Sequence, residues 1–194
     1  MRRIGGSLGV EAISLYNYNS SKDDLLNGTV DLVFGEIEAP SLDREWRTAM
    51  TQRARSARDA LMRHQWATGL TVSRRSPGPC TLRHHNAVVG CLRSAGFSIE
   101  MTAHAYSVID SYLYGFVIQQ MSVPFYTPNQ AATVATEILE QLPAAEYPHL
   151  DELATEHVLQ HGYDFSKKFA YGLDLILPAL SHARDEDRAP CSPG

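Results

Sequence analysis

Residues 6–26, GSLGVEAISLYNYNSSKDDLL, bring two tyrosines, two asparagines and a lysine into one short span. Tyr16 and Tyr18 stand two apart, and on a helix that spacing points side chains about 200° away from each other, so both rings cannot enter one core. With Leu8, Val10 and Leu15 turned inward, Tyr16, Asn17 and Tyr18 are left to project outward. Lys22 falls in the first turn of the next helix, where the helix dipole disfavours a cation unless an anion lies in front of it. A DNA phosphate is such an anion.

The other chemistry-bearing patterns are weaker. His157 and His161 form H-x-x-x-H beside Glu152 and Glu156, but the order E-H-V-L-Q-H lacks the base and third ligand of a helical zinc site. They read as surface histidines, and no metal or other cofactor is expected. Cys80, Cys91 and Cys191 are odd in number with no C-x-x-C pair, which fits a reducing cytosol. Paired carboxylates at helical spacing in an apolar setting, G-x-S-x-G and a phosphate loop are all missing, so an enzyme is not expected.

At 194 residues and 44% hydrophobic, the chain can bury a sizeable core. No apolar run reaches the roughly 20 residues of a membrane span, and the first residues lack the apolar centre of a signal peptide. A cytoplasmic location is expected. The net charge of −5 is uneven: residues 1–94 hold 13 basic and 9 acidic residues, +4, against 4 and 13, −9, in residues 95–194. Screening over about 10 Å makes local charge decide contact with phosphates.

Helical spacing dominates the elements that must position these residues. Arg2–Leu8, a Gly9-Val10-Glu11 turn and Ala12–Tyr18 have the order of a helix-turn-helix. A third helix starts at Ser21, whose spacing to Asp24 is that of a capping box, and runs through Phe34. Further helices are predicted over Asp43–His64, Thr81–Ala95, Ile99–Met121, Pro128–Leu142, His149–Gln160 and Asp164–Ala183, the last kinked at Pro178. In this last helix Phe165, Phe169, Leu173, Ile176 and Leu180 form one stripe, with Tyr171, Leu175 and Leu177 opposite. Alternating strands are absent, so the chain reads as all-α. Helices 99–121 and 164–183 are apolar on opposite faces, more than a domain this small covers alone. A homodimer paired through a four-helix bundle resolves this, the alternative being burial of both faces within one chain.

Residues 1–38, with L-G-V-x-x-x-x-L-Y-x-Y followed by K-x-x-L-L, resemble the second half of the DNA-binding domain of the tetracycline-repressor (TetR) family. Trp46–His64, AGFS at 95–98 with the long helix after it, and FAYGLDLIL at 169–177 resemble the ligand-binding and dimerisation domain of its tetracycline-repressor branch. The resemblance implies a partial DNA-binding domain over 1–38 and a ligand-binding and dimerisation domain over 39–194. It implies that Arg2, Ala12, Ile13 and Tyr16 face base edges in the major groove, while Ser14, Asn17, Tyr18 and Lys22 contact phosphates. Family members carry a further helix before this point, so the N-terminus is expected to be truncated. Either operator binding as a homodimer or a dimeric ligand-binding module without DNA binding follows.

For the second domain the resemblance implies an unidentified small-molecule effector held by Arg53, Ala57, Tyr106, Asp110 and Gln119, with His64, Trp66 and His85 as neighbours. In the named branch a histidine and a glutamate serve a magnesium ion carried by tetracycline. Here Thr71 and Gln119 stand near those positions, poor partners for a hard cation, which speaks against tetracycline.

Overall fold

The computed structural model describes residues 21–71, 76–123, 128–141, 143, 145–160 and 162–188. Every regular element among them is a helix, as the all-α reading expects. Residues 1–20, with the two predicted helices Arg2–Leu8 and Ala12–Tyr18, lie outside the described residues.

Helix α1 spans Lys22–Gly35 and starts as the capping spacing requires, with the Ser21 hydroxyl accepting the Asp24 N–H at 3.0 Å. Its inner face carries Val30, Val33 and Phe34 into the core. Helix α2 spans Trp46–Arg63. It starts three residues later than predicted because Glu45 caps it: its carboxylate accepts the Thr48 N–H at 3.0 Å. After a break at His64, the unpredicted helix α3 covers Gln65–Thr71.

Helix α4, Pro79–Ser94, begins at Gly78, which has no side chain to cap it. The cap comes from α1. The Asp31 carboxylate accepts the Thr81 N–H and the Thr81 hydroxyl, each at 2.8 Å, and the Cys80 N–H at 3.2 Å. Glycine is required at position 78 because a Cβ there would sit 2.3–2.7 Å from the Asp31 carboxylate. The other end of α4 is closed by Gly96 at φ +88°, with the Phe97 N–H donating back to the Leu92 carbonyl at 3.2 Å. That turn seats Phe97 edge-on against Trp46, ring centres 5.0 Å apart.

Helix α5, Ile99–Ser122, is capped by the Ser98 hydroxyl, which accepts the Met101 N–H at 3.2 Å. Helix α6 covers Pro128–Gln141 and α7 Pro148–Leu153. The single helix predicted over His149–Gln160 instead changes to a π-helical turn at Ala154–Val158. Helix α8 spans Lys167–Arg188, beginning after an Asp164 turn and running five residues past the predicted end, with Pro178 inside it.

The core lies where α2 meets α4, α5 and α8. Ala49, Ala54, Ala57 and Ala60 present little bulk, and Met50, Leu61, Leu92, Ile109, Leu113 and Leu173 fill the space around them. Leu177, predicted on the far side of α8, is buried with Phe169, Leu173 and Leu180, spacings of four, four and three residues that form one helical stripe. Tyr171 and Leu175 on α8, with Val108 and Ile118 on α5, remain exposed in the single chain. No helix among the described residues is long and apolar enough to cross a membrane.

Candidate ligand cavity

Tyr106, Asp110 and Tyr114 recur every fourth residue along α5 and therefore share one stripe. Opposite them stand Asn27, Val30 and Phe34 of α1, with Thr81 and His85 of α4 between and Thr71 at the end of α3. These side chains enclose a cavity of about 370 Å³, within the size range of small-molecule sites. Part of its wall is aromatic: Phe34 lies 5.4 Å from His85 and His85 lies 5.7 Å from Tyr106, centre to centre.

Behind Asp110 lies a buried charge. Arg53 of α2 has no exposed side-chain surface, and its Nη1 meets Asp110 Oδ1 at 2.6 Å. Arg53 Nε donates to His84 Nε2 at 3.0 Å. Guanidinium groups only donate, so His84 Nε2 holds the lone pair and its proton sits on Nδ1. That Nδ1 and Arg53 Nη2 are both buried without a partner among the described residues. Burial first, then the Arg53 charge, then His85, bring His84 down to about 3, so it is neutral at ordinary pH.

Apart from Asp110, paired with Arg53, the titratable groups facing the cavity are neutral too. Burial lowers His85, with Asp110 opposing and Arg53 adding to the effect. Its Nδ1 is hydrogen-bonded to the Tyr106 hydroxyl. Burial, and then the Asp110 charge, raise Tyr106 well above the usual phenol range and Tyr114 to about 12. Both phenols keep their protons. The cavity can thus offer a hydroxyl donor, a carboxylate acceptor and ring faces.

Of the residues expected at an effector site, His85, Tyr106 and Asp110 line this cavity, and Arg53 reaches it through Asp110. The other four lie elsewhere. Ala57, one turn beyond Arg53, is sealed in the core. His64 turns to the surface, where its Nε2 meets Glu36 at 2.9 Å, and Trp66, half exposed, packs edge-on against it. Gln119 is nine residues beyond Asp110, about 180° around α5, and is exposed. Thr71 lines the cavity.

Asp31, His84 and Tyr114 were missed. Tyr114 continues the four-residue spacing of Tyr106 and Asp110. His84 shares a stripe with Thr81, Val88, Cys91 and Leu92, all buried, so its place on the inner face of α4 was readable.

On the nucleic-acid side, Lys22 is exposed in the first turn of α1. Arg2, Ala12, Ile13, Ser14, Tyr16, Asn17 and Tyr18 lie outside the described residues. His157 packs against Tyr163 at 5.3 Å, and His161 lies outside the described residues. Among the described residues no group of three or more His, Cys, Asp or Glu side chains could hold a metal.

The sequence matches the family described as tetracyclin repressor-like, C-terminal domain, over residues 39–183. An HTH-type transcriptional regulator of Saccharopolyspora erythraea is 31% identical over 153 residues, 77% of this chain and 64% of that protein, so the chain spans under two thirds of that relative's length. The HTH-type transcriptional repressor DrrR1 of Streptomyces coeruleorubidus is 28% identical over 202 residues, covering 100% of this chain and 73% of its own. Among solved structures, the TetR family protein ActR of Streptomyces coelicolor in complex with actinorhodin superposes with a TM-score of 0.74. Identity there is 25%, over 95% of this chain and 87% of that one.

Proposed function

Because this chain belongs to the tetracycline-repressor family, we propose that it is a cytoplasmic, ligand-responsive repressor that binds operator DNA as a homodimer and is released by a small molecule in the cavity. The observation that carries this reading is that α1 forms one wall of the cavity through Asn27, Val30 and Phe34, while its first turn joins residues 1–21. A molecule that enters the cavity touches α1 directly. Binding better to one position of α1 than to another shifts the balance between them, and two reading heads whose separation changes no longer fit successive major grooves.

The relatives support this reading: DrrR1 is named a repressor, and ActR is seen with a small molecule bound. In it, Arg2, Ala12, Ile13 and Tyr16 face base edges, Ser14, Asn17, Tyr18 and Lys22 face phosphates, and α5 and α8 pair with their copies. The effector needs no divalent cation, since Thr71 offers only a hydroxyl and Gln119 faces away.

A mobility shift of the full chain on DNA upstream of its own gene tests the proposal. Tyr16→Ala and Lys22→Ala are each expected to weaken the shift, the latter with a salt slope shallower by about one. Unchanged affinity in both variants defeats the assignment of these residues. Failure to shift any upstream fragment leaves a dimeric ligand-binding module.

A further inference from the structure

We infer, resting on the regulator reading above, that the cavity selects an uncharged, ring-bearing molecule through a hydroxyl group that donates a hydrogen bond to the Asp110 carboxylate. Three observations lead there. The first is the fixed acceptor. Asp110 lines the cavity with its side chain 13% exposed; Arg53, wholly buried, takes its Oδ1 at 2.6 Å, and the Tyr106 hydroxyl is a second neighbour of the carboxylate. An ionised carboxylate accepts up to about four hydrogen bonds, so capacity remains on the cavity side. Arg53 is itself anchored to His84, which keeps the acceptor from turning away.

The second is charge. Arg53 and Asp110 cancel, both phenols keep their protons, and His84 is neutral. Among the described residues no lysine or arginine lines the cavity. An anionic ligand placed beside Asp110 meets the carboxylate first, with Arg53 behind it already paired and no further described cation lining the cavity. The third is shape and surface: Phe34, His85, Tyr106 and Tyr114 supply ring faces, and the Tyr114 hydroxyl is a second handle, a donor for an oxygen on the ligand.

Calorimetric titration of the full-length protein with three probes tests this: 2,6-dihydroxynaphthalene, 2,6-dimethoxynaphthalene and 2-naphthoate. The diol is expected to bind at least about tenfold more tightly than the ether, the loss of one charge-assisted hydrogen bond, and 2-naphthoate more weakly still. In the double variant Arg53→Met with Asp110→Leu, which replaces the ion pair with apolar side chains, the preference for diol over ether is expected to vanish. Equal binding of diol and ether, tighter binding of 2-naphthoate, no binding of the diol, or a preference that survives in the double variant overturns the inference. Should that variant not fold, a crystal structure of the wild-type protein with the diol decides: a hydroxyl within hydrogen-bond distance of Asp110 supports the assignment, and any other placement overturns it. Diol preference without an operator shift upholds the cavity assignment and removes the repressor reading. An operator shift without diol preference does the reverse.

Discussion

Arg53 divides its guanidinium between Asp110 and His84 and leaves Nη2 buried without a partner among the described residues. Arg53→Met alone strands the Asp110 charge and is expected to lower unfolding free energy by about 3–5 kcal/mol in urea, whereas Arg53→Met with Asp110→Leu recovers most of it. His84 adds a pH dependence of known sign. It titrates near 6.5 in the unfolded chain but only at about 3 in the fold, so between those values the unfolded state binds more protons. Its contribution is complete above pH 6.5 and declines towards pH 3, with about 2 kcal/mol lost at pH 5. His84→Gln, whose amide oxygen still accepts from Arg53, should lose less stability than wild type between pH 7 and 5. Equal losses would mean that His84 takes up its proton inside the folded protein. The resemblance named Arg53, His85, Tyr106 and Asp110, which the fold brings together, and of this only the one-turn spacing of Tyr106 and Asp110 is visible in the residues themselves. Gln119, His64 and Trp66 lie away from this cavity, because similarity to a pocket carries a position but not its helical phase or its neighbours. Gln119 is half a turn out of phase, and Glu36 draws His64 to the surface.

Helix α4 owes its start to a residue of another helix. Burial pushes the Asp31 carboxyl upward, but the hydrogen bonds from Thr81 and Cys80 outweigh it and hold the group below its ordinary value. The stability it lends is present above about pH 4 and is lost as acid protonates the folded carboxylate. Gly78→Ala, placing a methyl against that carboxylate, should destabilise by about 1–2 kcal/mol, as the loss of a cap does. In an Asp31→Ala background the same change should have little effect, and additive losses in thermal unfolding would show that the two residues act separately. Caps within one helix, such as Ser21 and Ser98, were legible because acceptor and donor lie three residues apart. The Asp31 cap bridges a separation of 50 residues and has no local signature. The same logic explains the length of α8. Past its apolar stripe the helix continues because Arg184 donates to the Ala95 carbonyl at 3.1 Å and lies over the Phe97 ring. Helix α3, with Gly69 inside it, and the π-helical turn at Ala154–Val158 have no composition that distinguishes them from a loop or an α-helix.

At the scale of the molecule, α5 and α8 leave Ile118, Tyr171 and Leu175 facing water, with Tyr171 and Leu175 one turn apart on a single face. Sedimentation at micromolar concentration should show a dimer, and Leu175→Glu, which sets a charge in that face, should shift it towards monomer with helix content unchanged. A wild-type monomer would place the pairing surface elsewhere. All-α architecture and the apolar excess on these two helices were visible in the sequence. How the excess divides was not, since Leu177 shows that one residue can change sides when the stripe shifts. The anchoring of α1 has a mechanical result. Asp31 fixes the arm near one end, about 6 Å along the axis from Asn27 and about 13 Å from Lys22. If Asp31 serves as a fulcrum, about 1 Å of sideways push at Asn27 reaches Lys22 as about 2 Å. The arm then works as a lever whose gain is fixed by residue count, and Asp31→Ala would remove its bearing.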